Sequence, residues 1–298
     1  MQSASVLPTA TATPTPAPTT APAPVPTATP TPVPTATPTI SSAAQKLYAV
    51  FASNVQQYNL DGSATGVVLR PGSAPAAATV AANGNIYVIG LTARNGTMTQ
   101  FTGRIDIFNA SGIATTSPMN TPVFSGGATS GFTGIAVDGT GKIFVSTDTE
   151  VFSTNADGTP GTPTITGFVK SEGVAVDTTG KIYVTDLGAN KISTFDSTGT
   201  PTNPTIPVGS PHGIVFNSGK LYVTSDRPVN TLTTYLANGT AATPTISSGL
   251  VGPQGIALDA TGRIYVQDSG SGNVLTFTPS GIPTTPTFAI GGPIGIAI

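Results

Sequence analysis

The chain has 298 residues and a mass of 29.6 kDa, with 11 basic and 13 acidic side chains, a single His, and neither Cys nor Trp. A formal charge of -2 removes the electrostatic basis for general affinity toward nucleic acid or an anionic membrane. The lack of Cys excludes disulfides, thiolate metal sites and a cysteine nucleophile, and no apolar run approaches the ~20 residues that a membrane-spanning helix needs.

Residues 1–40 hold 11 Pro, 12 Thr and 8 Ala, with no charged residue, Gly or aromatic. Such a segment buries too little apolar surface to offset its chain entropy. Its closely spaced prolines favour extended polyproline II geometry. Residues 1–45 are therefore expected to be a disordered, semi-rigid linker or stalk, of a composition also typical of O-glycosylated stalks. The opening residues Met1 to Leu7 lack the basic and apolar regions of a signal peptide. The expectation is an extracellular or cell-surface protein whose export signal has been trimmed and to which Met1 has been added, the signal or anchor not being present in this sequence.

From Lys46 onward the sequence repeats. Gly134, Gly173, Gly213, Gly255 and Gly295 each open a Gly-[Ile/Val]-[Ala/Val] segment, at spacings of 39, 40, 42 and 40 residues. The first four run through a turn into a second apolar stretch: GIAVDGTGKIFVSTD (134–148), GVAVDTTGKIYVTD (173–186), GIVFNSGKLYVTSD (213–226) and GIALDATGRIYVQD (255–268). Residues 77–88 are a degraded copy. Short β-branched runs bounded by Gly, Asn and Asp predict strands joined by tight hairpins. A third strand follows in each unit, as in Asn190–Phe195, Asn230–Tyr235 and Asn273–Phe277, where apolar and polar residues alternate. After a turn on Gly comes a Thr/Pro-rich stretch, and proline's missing ladder donor assigns it to the sheet edge.

Four antiparallel strands per unit of about 40 residues is the pattern of a β-propeller blade. The third-to-fourth-strand turn occurs six times, at Gly62, Gly112, Gly158, Gly199, Gly239 and Gly281. The first-to-second-strand turn occurs five times, at Gly84, Gly141, Gly180, Gly219 and Gly262. The first unit starts at its second strand, Lys46–Val50, and Gly295–Ile298 supplies the missing one. Residues 46–298 are thus expected to form an all-β, six-bladed propeller closed by its C-terminal strand. The pattern G-[IV]-A-V-D…G-K-I-Y-V-x-D…N-x-[IVL] resembles the NHL-repeat family of six-bladed propellers. At a coarser level the chain is similar to lactonase-like propellers and streptogramin B lyases.

Propellers of this kind place the loops leading into the first strands on the same face as the turns joining strands two and three. The resemblance therefore implies a ring around the central channel formed by Ala76, Thr133, Glu172, His212, Gln254 and Ile294. Glu172, the sole His and Gln254 fall on consecutive blades. Imidazole titrates near neutrality, and a neighbouring carboxylate orients it, so Glu172 and His212 are the candidate general-base pair; they are also two ligands of an incomplete metal site. The alternative reading is a set of polar loop residues at a solvated mouth.

A second set, Asp148, Asp186, Asp226 and Asp268, closes the second strands. Four carboxylates on one face are weak candidates for calcium or magnesium. Their recurrence with the repeat favours a structural role, accepting backbone N–H groups at the strand-two-to-three turn, and the same reading applies to Asp138, Asp177 and Asp259 in the hairpins. The second blade is longer, 57 residues from Ile86 to Ile143 against 39 from Ile143 to Ile182. Part of the excess is read as a loop at 91–104 that brings Arg94, Phe101 and Arg104 to the ring's face as a lid or partner contact.

A lactonase-like calcium site calls for Glu, Asn and Asp at the channel, and no Asn occupies a ring position. A streptogramin-lyase-like site calls for more than one His, and His212 is alone. The sequence contains no GxSxG, GxxxxGK[ST], HExxH or GxGxxG. Three sequons occur, at Asn95, Asn109 and Asn238. The sequence reads as a non-catalytic binding, adhesion or assembly module without a required cofactor. Its expected partner is a protein or carbohydrate at the cell surface, or further copies of itself. The alternative is a metal-assisted hydrolase or lyase at the channel mouth.

Overall fold

The computed structural model describes residues 45–298 apart from 98–99, 116–117 and 126–130, so the expected linker lies outside the described residues except for Gln45. Among the described residues there are 25 strands and no helix. Blade one comprises β1 (Lys46–Val50), β2 (Val55–Asn59) and β3 (Ala64–Leu69). Blade two comprises β4 (Ala74–Val80), β5 (Ile86–Arg94), β6 (Gln100–Phe108) and a split outer strand, β7 (Met119–Asn120) with β8 (Phe124–Ser125). Blade three holds β9 (Phe132–Val137), β10 (Ile143–Thr147), β11 (Glu150–Thr154) and β12 (Ile165–Thr166). Blade four holds β13 (Ser171–Val176), β14 (Ile182–Asp186), β15 (Lys191–Phe195) and β16 (Pro201–Pro207). Blade five holds β17 (Pro211–Asn217), β18 (Lys220–Ser225), β19 (Thr231–Leu236) and β20 (Ala241–Ile246). Blade six holds β21 (Pro253–Leu258), β22 (Ile264–Asp268), β23 (Asn273–Phe277) and β24 (Pro283–Phe288), and the last strand is β25 (Gly295–Ala297).

Every sheet is antiparallel, and β25 pairs with β1, matching Tyr48 with Ala297, Ala49 with Ile296 and Val50 with Gly295. Neighbouring first strands touch in the cycle β4, β9, β13, β17, β21, β25, β4, which closes the six-membered ring. The burial patterns follow from this stacking. Central strands are covered on both faces, so β10, β14 and β22 are buried throughout. The third strands β15 and β23 alternate, and the outer strands β16 and β24 are half exposed with Pro in the ladder. The closing seam is as dry as the others: Leu47, Ala49 and Tyr58 pack with Tyr265, Val274, Phe288 and Ile296. On the outer belt, prolines sit against the turn glycine of the next blade, Pro163 on Gly199, Pro204 on Gly239 and Pro244 on Gly281. Pro286 on Gly62 repeats the contact across the closure.

The one-to-two hairpins are built by their aspartates, as expected. Asp138, Asp177 and Asp259 each accept, at Oδ1, the amide and hydroxyl of the Thr two residues on and the amide four residues on. The glycines that follow, Gly141, Gly180 and Gly262, have φ between 80° and 87°, a region open to Gly. Asp177 and Asp259 also accept from Tyr183 (3.0 Å) and Tyr265 (3.1 Å) of the second strand.

These contacts predict both flanks of the pH–stability profile. Burial pushes the Asp177 carboxyl up, but hydrogen bonds from Thr179, Lys181 and Tyr183 outweigh it and hold it below its usual value. A lowered acid stabilises the fold above its unfolded pKa and loses that contribution on acidification below about pH 4. Burial first, then Asp177, raises the Tyr183 phenol, and burial with Asp259 pushes Tyr265 up to about 12. A raised phenol stabilises fully below about pH 10 and is lost as pH climbs through its folded value. Melting temperature against pH should therefore hold a plateau that falls on both sides; Tyr183→Phe with Tyr265→Phe should flatten the alkaline flank, and the lost Tyr183 bond to Asp177 should ease the acid flank to a smaller degree. An unchanged alkaline flank in that double variant would refute the assignment.

Candidate functional site

Ala76, Thr133, Glu172, His212, Gln254 and Ile294 line one cavity of about 260 Å³, where the six first strands begin. Below them Ala78, Ile135, Val174, Ile214, Ile256 and Ile296 form an apolar band. The glycine that follows five of the six ring residues, Ala77 standing in the sixth place, explains the geometry. A Cβ on Gly134 would lie 2.9 Å from the Glu172 carbonyl oxygen, on Gly173 2.8 Å from that of His212, and on Gly213 2.2 Å from that of Gln254. Only glycine lets adjacent blades approach this closely.

Hydroxyls of the second strands then lock the ring's main chain from blade to blade. Thr185 Oγ1 accepts the Gly173 amide (2.7 Å) and donates to the carbonyl of His212 (2.6 Å). Thr224 Oγ1 accepts the Gly213 amide (2.9 Å) and donates to the carbonyl of Gln254. Ser146 Oγ accepts from Thr133 (3.0 Å) and donates to the carbonyl of Glu172 (2.9 Å). Three of the ring residues are thus carried on a backbone held by part-buried hydrogen bonds from the preceding blade.

Their side chains form a chain of polar contacts over blades four to six. Lys170 Nζ lies 2.7 Å from Glu172 Oε1, Glu172 Oε2 lies 4.0 Å from His212 Nδ1, and His212 Nε2 lies 3.6 Å from Asp226 Oδ2. Gln254 Nε2 donates to the same Asp226 oxygen at 3.5 Å. The Glu172 hydrogen bond holds the Lys170 ammonium above its usual pKa. Glu172, His212 and Gln254 line the cavity, while Lys170 and Asp226 stand behind them.

The four strand-end aspartates do not share one face. Asp186 pairs with Ser171 and Asp268 with Pro253, whereas the matching positions in blades three and five are Thr147, opposite Phe132, and Ser225, opposite Pro211. Asp148 and Asp226 lie one residue further on, and in a strand a one-residue offset turns a side chain to the opposite face. Asp186 and Asp268 are buried. Asp186 accepts the amides of Val169 (3.2 Å), Lys170 (3.0 Å) and Ala189 (3.1 Å), and Asp268 accepts the amide of Val251 (2.9 Å) and the hydroxyl of Ser271 (2.9 Å). Their bonds reach chiefly the loop leading into the first strand as well as the turn after the second. Asp226 is part exposed and turns to the ring. Among the described residues no group of three or more Asp, Glu, His or Cys is placed to hold a metal ion.

The part of blade two's excess at 91–104 is a longer hairpin, not a loop, up to the undescribed residues 98–99; the rest lies between Gly112 and Gly131, where 116–117 and 126–130 fall outside the described residues. β5 and β6 stay paired as far as Arg94 opposite Phe101. Phe101 is 2% exposed and packs with Phe124, Phe132 and Phe152, so its ring has no free face for a ligand. Arg94 lies over that ring at 5.7 Å. Arg104 is ion-paired to Asp106, its Nε donating at 3.0 Å. The sequence reading overlooked Lys170, although it stands two residues ahead of the ring glutamate on the same lead-in loop.

No family model and no curated protein matches the chain. Solved structures do. A chain of a nidogen/laminin complex matches at 17% identity with a TM-score of 0.65, covering 85% of this chain and 97% of its own. A protein of unknown function from Bacteroides caccae matches at 11% identity and 0.63, covering 85% and 98%. Virginiamycin B lyase from Staphylococcus aureus matches at 18% and 0.54, covering 74% and 71%. At such identities the likeness is one of fold: a six-bladed β-propeller.

Proposed function

We propose that this chain is a non-catalytic binding or adhesion module, an NHL-like propeller displayed outside the cell, which takes its ligand at the channel mouth. The reading rests on the polar side chains Glu172, His212 and Gln254, presented on a clamped main chain around one concave cavity. Preorganised polar groups over an apolar floor suit recognition, since little ordering remains to be done on binding. Gln45, the first described residue, accepts a bond from Ala260 in the hairpin at the other end of the first strands from the ring. The nidogen/laminin complex offers a precedent for a propeller of this shape in a protein–protein assembly.

A second reading, a metal-assisted hydrolase or lyase, is favoured by the Glu172–His212 pair and by the fold likeness to virginiamycin B lyase. The two separate on an array of glycans and extracellular proteins, run beside turnover assays on lactones and a streptogramin B with calcium or magnesium. The binding reading expects a retained ligand that is lost in Glu172→Ala/His212→Ala, with no turnover. Turnover abolished by His212→Ala at unchanged melting temperature would overturn it.

A further inference from the structure

We infer that the channel mouth is a receptor for a primary ammonium group, presented by the lysine side chain of a protein partner. The inference rests on the mouth being a binding site, and it follows from an inventory of donors and acceptors. Asp226 Oδ2 faces two nitrogens, His212 Nε2 at 3.6 Å and Gln254 Nε2 at 3.5 Å. A carboxylate only accepts, and Asp226 is the nearer of the two carboxylates to the imidazole, at 3.6 Å against 4.0 Å, so in the neutral ring the proton is placed at Nε2 and the amide of Gln254 turns toward Asp226. That leaves the lone pair of His212 Nδ1 and the carbonyl oxygen of Gln254 as acceptors. Glu172 Oε1 is taken by Lys170 at 2.7 Å, and Oε2 faces His212 Nδ1 at 4.0 Å. With the ring neutral, two acceptors face each other there.

The ring therefore offers Glu172 Oε2, His212 Nδ1 and the Gln254 oxygen, three acceptors matched to a group with three donors and no acceptor. An ammonium is such a group; a sugar hydroxyl, part donor and part acceptor, is a poorer match. The cavity, about 260 Å³, falls below the roughly 300–1,000 Å³ of sites that enclose a drug-sized ligand. It suits one inserted side chain. Around the mouth Val169, Val229, Val251 and Ile294 are between 44% and 68% exposed on the lead-in loops and turns, an aliphatic rim for the residues flanking an inserted lysine.

His212 is the only histidine, so its imidazole resonances in a ¹⁵N-labelled sample report on the site without assignment. The free protein at neutral pH should show the tautomer protonated at Nε2 and bare at Nδ1. Acetyl-Val-Lys-Val-amide should shift Nδ1 saturably. The same peptide with norleucine for lysine should not, and n-butylamine should do so more weakly because it lacks the flanks that meet the rim. Glu172→Gln should weaken the lysine peptide by about tenfold or more with the melting temperature kept, and added salt should weaken it further. Asp226→Asn should redistribute the tautomers, which a merely structural residue would not do. An imidazole protonated at both nitrogens in the free protein, or equal binding of the norleucine peptide, overturns the inference. A neutral disaccharide that shifts Nδ1 where the lysine peptide does not also overturns it, while leaving the binding reading intact; turnover of a lactone or a streptogramin B with no peptide binding removes both.

Discussion

Asp186→Ala is expected to lower the melting temperature by roughly 6–12 °C, whereas Asp226→Asn should change it by no more than about 3 °C. Asp186 is the last residue of its second strand and Asp226 stands one residue beyond its own, and their surroundings differ. Asp186 is 1% exposed and accepts three backbone amides, those of Val169, Lys170 and Ala189. Each buried donor left unpaired costs about 1–3 kcal/mol, so the three together cost roughly 3 kcal/mol or more. At about 2–4 °C per kcal/mol for a domain of this size, the stated drop follows. The effect should also reach the ring, because the released loop carries Lys170 and Glu172. Asp186→Asn keeps an acceptor oxygen and should recover much of the loss. Asp226, part exposed, accepts one backbone amide, that of its neighbour Arg227 (2.6 Å), and otherwise faces His212 and Gln254, so its neutralisation should register in ligand binding. Thermal melts of the three variants decide it: equal losses at Asp186 and Asp226 would mean that the two carboxylates do the same work.

That pair also marks how far the sequence could be read. The blades, their number, the closing strand and the six ring positions were legible because glycine anchors them. A Gly-[Ile/Val] step recurs at five of the six places where first strands meet at the axis, and positive-φ glycines recur at every turn counted. The aspartates were harder to place because side-chain direction in a strand depends on a count of single residues. Asp186 stands five positions after Lys181, and Asp226 six after Lys220. The difference was visible as Thr-Asp against Thr-Ser-Asp, but it acquires meaning only when the partners Ser171 and Pro211 are known. Lys170 was missed for a related reason: lead-in loops have no period, so only the folded ring brings its ammonium to Glu172. In blade two the stretch 91–104 lacks strict alternation, and tertiary packing of Phe101 on Phe124 and Phe132 draws the ends of it into the sheet.

Removal of Gly295–Ile298 should be the most damaging small change to the fold. β25 is only three residues long, but Ile296 and Ala297 are 7% and 5% exposed and belong to the cores on either side of blade one. Burying an isoleucine contributes about 1.5–3 kcal/mol, and an unfilled cavity adds to the loss. The deletion also strips the ladder partners of Tyr48, Ala49 and Val50, exposing the innermost edge of a sheet to pairing with other chains. A loss of order 5 kcal/mol against a total of about 5–15 kcal/mol should yield a chain that melts more than 10 °C lower or aggregates. Cause and consequence can be separated by permutation. Joining Ile298 to Lys46 through Asp-Gly-Thr-Gly, the hairpin of residues 138–141, gives blade one the connection that the other blades already have. New ends are opened between Ala82 and Asn83, an exposed hairpin position, so the break moves from blade one to blade two. The permutant should melt within a few degrees of the parent, because the strand is still supplied and only the point of closure has moved. Unchanged stability on deletion, or collapse of the permutant, would show that closure does not depend on this strand.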